Sequence, residues 1–405
     1  MVTRIPCAIM RGGTSKCVMF HSRDLPEDRS LLNRILLAVM GSPDPRQING
    51  LGGAFSTTSK VCIVGPPSVK DADVDYTFAQ VSITDALVDF KGNCGNCSSA
   101  VGPFAIDEGL VEAIEPITTV RIYNTNTRKI IRAEVPVRNG KYDPLGTTYI
   151  AGVPAPGSRV SMWFDNPGGS LLGKLLPTGT ATDVVDIPFL GATPISIVDA
   201  GNPVVFVEAE RLGITGTEPP AFLDGNADFS QKIEAVRSVA AAICGFVPDW
   251  RLATKISPAV PKVAFVAPPR SYADLTGNTV AASEMDLLAR MMSMQTVHRS
   301  YALTGAVATG AAAYIPGTVV NRTIPAAALA SGFLRLGHPG GILDLEAIVE
   351  LAPDGVEIRS VGSVRTARRI MDGFVYVGDA LVAAEALLTA EQHVAASAEK
   401  HETGA

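Results

Sequence analysis

Charge is scarce in this sequence. Only 18% of its 405 residues are Asp, Glu, Lys or Arg, and 34 basic against 40 acidic side chains leave a net charge of −6. No basic excess is available to neutralise phosphates, so the composition argues against nucleic acid as a partner. Long apolar runs are missing too. The opening MVTRIPCAIMRGG has no signal-peptide core, and later apolar segments are cut by Gly, Pro or Arg before they reach bilayer length. No membrane association is expected, and a cytoplasmic location follows. Cysteine is too sparse for a disulfide framework: there are six, and only Cys94 and Cys97 form a close pair. No second close Cys or His pair completes a four-ligand zinc set. What the chain does have is 47% hydrophobic residues, enough for a large core, at a length that suggests two domains or two halves.

The stretch around which the rest is organised is 92–109, GNCGNCSSAVGPFAIDEG. A polar, Gly-rich opening runs into small and apolar residues and closes at Gly109, the pattern of a loop feeding a buried helix. A helix start leaves backbone N–H groups unpaired and carries partial positive charge, so a carboxylate can dock there and a thiol can be acidified there. Cys94 stands at that point. Taken alone it reads more simply as a small buried apolar residue. Pro103 removes one backbone donor inside the segment, so a kink or a late start is expected.

Along the chain, 5–10 and 17–20 read as strands around the turn Arg11-Gly12-Gly13-Thr14-Ser15-Lys16, which can present N–H groups and hydroxyls to an anion but lacks the spacing of a P-loop. A helix over 31–40 is led by Asp28 and stopped by Gly41-Ser42-Pro43. The loop 48–60 feeds a strand over 61–64, which leaves Lys60 where a polar loop enters a buried strand. The second half repeats this grammar: strands over 195–200 and 204–207 around Gly201-Asn202-Pro203, a helix over 233–243, and a strand over 262–266 that parallels 60–64. A polar helix is expected over 283–294. Then 298–319, HRSYALTGAVATGAAAYIPGTV, repeats the loop-and-helix of 92–109 without its cysteine, since Ala302 or Leu303 stands near the counterpart position. Strands over 342–351, 356–364 and 374–377 precede an Ala-rich helix from 379.

MRGGTSKCVMF, MGSPDPRQINGLGG, STTSKV, GNCGNCSSAVGPFAIDEGLV, LLPTGTATDV, GAVATGAAAYIPGTVVN and VRTARRIMDGFVYV, in this order, resemble the PrpF family of aconitate-type isomerases. The resemblance implies an α+β, diaminopimelate epimerase-like fold of two pseudo-symmetric halves, each a mixed sheet curled around a central helix, with the active site between them. The halves would be 1–185, joined by the strand 372–378, and 186–371, followed by a helical extension, 379–405, available for assembly into a homodimer. It also implies a cofactor-independent, metal-independent isomerisation of an unsaturated di- or tricarboxylate, 2-methylaconitate or aconitate, with 4-oxalomesaconate as the alternative. The family's catalytic lysine falls on Lys60 and its cysteine on Cys94. Cys17 and Cys97 stand where relatives commonly carry Gly and Leu or Ile.

Such a reaction takes a proton from a weak carbon acid and returns one at the far end of an allyl system, so the site must stabilise enolate-like charge and fix an acid and a base. Lys60 can be a base only when neutral, which calls for burial or a nearby positive charge. The two helix starts, Gly95-Asn96 and Thr304-Gly305-Ala306, offer N–H groups. Thr14, Ser15, Ser59, Asn202 and Arg299, together with the side chains of Asn96 and Thr304, are candidate carboxylate anchors, or else cap their own loops. Two other readings stand beside this one. Cys94-Gly95-Asn96-Cys97 has the C-x-x-C form of a thiol–disulfide oxidoreductase, though no aromatic residue precedes it. A tricarboxylate-binding protein without turnover would need the same cleft.

Overall fold

The computed structural model describes residues 2–352 and 355–378; the expected helical extension, 379–405, lies outside them. The first half opens with the hairpin Val2–Gly12 and Ser15–His21. The strand Lys60–Gly65 lies parallel to the hairpin's second arm, with Val18 opposite Val61. Val74–Val81 adds antiparallel to it, placing Gln80 opposite Lys60. The second half uses the same order. The hairpin Gly191–Ala200 and Asn202–Glu208 is followed by Lys262–Ala267, parallel to its second arm with Val204 opposite Lys262, and then by the antiparallel Leu287–Ser293. Lys60 and Lys262 therefore open equivalent strands.

Leu287–Ser293 corrects the helix expected over 283–294; only the short turn Ala282–Glu284 is helical. Leu, Ala, Arg and Met favour helices, but every residue of this segment is buried, and a strand covered on both faces reads as a continuous apolar run rather than an alternating one. Burial outweighs propensity here.

Each half wraps around one central helix, Gly95–Asp107 and Leu303–Tyr314, and both helices lie in one continuous apolar core. The first begins at Gly95 and continues through Pro103 to Asp107, so the late start expected from Pro103 does not occur. Small residues let the packing close. A Cβ on Gly12 would stand 2.5 Å from the carbonyl oxygen of Asn96, and one on Gly95 would stand 3.0 Å from Cβ of Leu303, so the hairpin rests directly on the first helix and the two helix starts touch. Gly355–Arg365 pairs on one side with Gly341–Ala352 and on the other with Val160–Asp165 of the first half. Ala367–Gly378 then runs antiparallel to the whole of Val2–Gly12. Among the described residues no helix is long and apolar enough to cross a membrane.

Candidate active site

The strand Lys60–Gly65, the start of the first central helix, and the Lys262 strand and 298–304 segment of the second half enclose a cavity lined by Lys60, Cys94, Asn96, Asn202, Lys262, His298 and Thr304, among others. Its interior is about 30 Å³, room for one or two waters. Lys60 is 6% exposed. Its amine donates to Oε1 of Gln80 at 2.6 Å and lies 5.1 Å from the centre of the Phe78 ring. Both contacts follow from register, because Gln80 is the cross-strand partner of Lys60 and Phe78 lies two residues along on the same face.

Cys94 caps the first helix: its Sγ accepts the N–H of Cys97 at 3.5 Å and lies 3.8 Å from Oγ of Ser15. The helix start was expected to acidify this thiol. Instead its pKa stands well above the ordinary thiol value, because the neighbouring Cys97 thiol and burial both favour the protonated form, and Lys60 offsets this only in part. Cys94 thus holds its proton at neutral pH and is suited to donate it. Ala302 caps the second helix at the equivalent place, with no side-chain hydrogen bond.

Two lining residues escaped the sequence reading. The Lys262 amine has no hydrogen-bond or ion-pair partner among the described residues; burial, and then the charge of Lys60, push its pKa down to about 8. The signal was present, since its strand parallels that of Lys60. His298 accepts the Ser300 N–H on Nδ1 at 3.0 Å, which leaves Nε2 as the protonated nitrogen of the neutral ring. Burial and the two lysines push its pKa down to about 3, so it stays uncharged.

The expected anchors divide. Asn96, Asn202 and Thr304 line the cavity. Asn202 also ties the halves together, donating to the carbonyl of Asn93 and to Oγ1 of Thr304, both at 2.9 Å. Ser15 touches Cys94, and Gly95 opens the first helix against Leu303. Thr14 lines a neighbouring pocket instead. Ser59 is spent on Gln47 and the carbonyl of Val81, away from the cavity. Arg299 turns outward to pair with Asp224 at 2.9 Å. Gly305 packs on Met291, and the N–H of Ala306 is already bonded to the Ala302 carbonyl, so neither lines the cavity.

Behind Cys94 the thiols of Cys17, Cys62 and Cys97 lie within 4.8 Å of one another, all buried. Spacing could not reveal this trio, whose members come from two strands and a helix. Three thiols so placed are a donor set for a soft cation. Cys97 is buried in this trio, and the raised pKa of Cys94 keeps the C-x-x-C thiol that would have to attack a disulfide in its unreactive protonated form.

The family model "PrpF protein" matches residues 2–378. The 3-methylitaconate isomerase of Eubacterium barkeri is 47% identical over 375 residues, 92% of this chain and 97% of that protein. The 2-methyl-aconitate isomerase of Shewanella oneidensis is 41% identical over 388 residues, again 92% and 97% of the two chains. The crystal structure of methylitaconate-delta-isomerase superposes with a TM-score of 0.76 at 46% identity, covering 94% of this chain and 97% of that one. A hydroxyproline epimerase from Agrobacterium vitis shares the fold, with a TM-score of 0.52 at 14% identity over 93% of each chain. The chain belongs to the PrpF family of isomerases, built on the diaminopimelate epimerase-like fold.

Proposed function

We propose that this protein isomerises an unsaturated di- or tricarboxylate, 2-methylaconitate or aconitate, by an allylic proton shift in which Lys60 and Cys94 move the proton. The observation that carries this reading is the meeting of an amine and a protonated thiol in one cavity between the halves. An amine removes the proton from the sp³ carbon beside the C=C bond. The electron pair of that C–H bond spreads through the allyl system into the adjoining carboxylate, and the Cys94 thiol delivers a proton to the far carbon. The thiolate left behind regains its proton from the ammonium, which restores the starting state. Two amines facing each other help the first step, because a second positive charge favours loss of a proton from the pair. A cavity of this size admits an acid of five to seven carbons only if its walls part.

The relatives differ in the acids that their names state, so the test is a substrate panel. 2-Methylaconitate, aconitate, 3-methylitaconate and 4-oxalomesaconate would be incubated with the protein in D₂O and followed by ultraviolet absorbance and NMR. Isomerisation with deuterium at the allylic carbon of one acid is expected. Binding without exchange for every acid would overturn the reading in favour of a receptor, and preferential turnover of 4-oxalomesaconate would redirect it to the tautomerase alternative.

A further inference from the structure

A second pocket, of about 240 Å³, lies on the other side of Asn96 and is lined by the turn residue Thr14, by Ser300, by His338, and by Ser363 and Arg365 of the last strands. Its inner wall holds an unusual charge. Arg365 is 5% exposed, yet among the described residues no carboxylate lies within ion-pairing distance of its guanidinium. Nε donates to Oδ1 of Asn96 at 3.1 Å and Nη1 to the carbonyl of Val364 at 2.7 Å. Nη2 has no partner there. Burial lowers the pKa of Arg365 to about 10, and Asp344 opposes this by Coulomb attraction alone, so the side chain remains cationic at neutral pH. Oγ1 of Thr14, next in the chain to Gly13, whose Cβ position lies 3.1 Å from Cδ of Arg365, is buried without any hydrogen-bond partner.

A buried cation without a counterion, next to an unpaired hydroxyl, is an arrangement that folding disfavours. An anion would satisfy both at once. A carboxylate suits the site best, because the planar guanidinium fork matches two carboxylate oxygens. The other charged groups lining the pocket do not fill that role. Asp344 and Arg159 are exposed, Glu346 is only partly buried, and His338 is held neutral by burial and by Arg290 and Arg365.

We infer that this pocket is a carboxylate-binding subsite, with Arg365 as the cation and the Thr14 hydroxyl as a further donor. It rests on the proposed function only in taking the ligand to be a small polycarboxylic acid. Asn96 is its link to the Lys60 cavity, since this residue lines that cavity and its side chain is held by Arg365.

The test uses propane-1,2,3-tricarboxylate, a saturated acid that cannot be turned over, so it does not depend on the isomerase reading. Its affinity would be measured by calorimetry on the wild type, Arg365→Gln and Thr14→Val, with a crystal soak to locate it. Expected are density against Arg365 and a loss of affinity of tenfold or more in both variants. Thr14→Val removes an unpaired buried hydroxyl and so keeps the fold even if Arg365→Gln does not. Inhibition competitive with substrate would mean that the subsite holds the substrate's own remote carboxylate. A second equivalent bound, or non-competitive inhibition, would mean that it holds a separate acid. Affinities within twofold of wild type in the folded variants, or density in the Lys60 cavity alone, would overturn the inference.

Discussion

Replacing Lys262 by Met should make the unliganded protein more stable at neutral pH. The amine opens its strand in the wall of the cavity that Lys60, Asp89, Cys94 and His298 also line, and the more distant Arg237 adds to the positive charge acting on it. Burial and the charge of Lys60 lower its pKa from the ordinary 10.5 to about 8. That gap corresponds to about 3 kcal/mol of disfavour for the charged form in the folded state, an upper limit because the side chain is partly exposed. The sign follows from proton counts. Between pH 8 and 10.5 the unfolded chain holds the proton and the folded one does not, so this group's contribution to stability rises with pH across that window. Below pH 8 the folded protein bears the whole penalty. Methionine fills similar space without charge and removes it. Thermal unfolding of both proteins should therefore show Lys262→Met melting higher at pH 7, by up to about 3 °C for a chain of this length, with most of the gap gone by pH 10, while turnover falls. An equal difference at both pH values, or a lower midpoint for the variant at pH 7, would refute the placement of this amine in a closed cationic cavity.

Lys60→Met should abolish turnover while leaving circular dichroism and the binding of a saturated tricarboxylate largely intact; near-normal rates would remove this lysine from the mechanism. Cys97→Ser should keep most isomerase activity at a cost of about 1–2 kcal/mol for placing a hydroxyl among buried thiols, whereas a thiol–disulfide oxidoreductase would lose its function; the assay is turnover alongside urea denaturation. Gly12→Ala would force a Cβ to 2.5 Å from the Asn96 carbonyl oxygen and 3.2 Å from Cα of Cys97. It should cost about 1–3 kcal/mol in urea denaturation and lower kcat, because the backbone of the helix start must shift; an unperturbed variant would show that the hairpin does not hold the helix in place.

Local elements were largely legible in the sequence. Asp28 accepts the Leu31 N–H at the start of the helix Arg29–Met40, and Gly41 ends that helix at φ 74°. Hydropathy and turn residues located both hairpins, and the repeated order of segments located the second central helix and its missing thiol. The 283–294 segment misled because a strand buried on both faces loses the alternation by which strands are recognised, and Leu, Ala and Met then read as helix. The anchors divided for a related reason. A polar residue at the mouth of a buried element looks the same in sequence whether it lines the cleft, as Asn202 does, or turns away from it, as Arg299 does.

The sequence by itself determined where the chain turns and which family motifs carry Lys60 and Cys94, since those properties depend on neighbouring residues and on family-wide patterns. Only the tertiary structure decided what surrounds them. Lys262 and His298 come from some 200 positions away to set the charge of the cavity, and Cys97 keeps the Cys94 proton in place. Arg365 is left without a counterion beside Thr14. Electrostatic energy depends on distance in space and on exclusion of water, and neither quantity is fixed until the two halves close on each other.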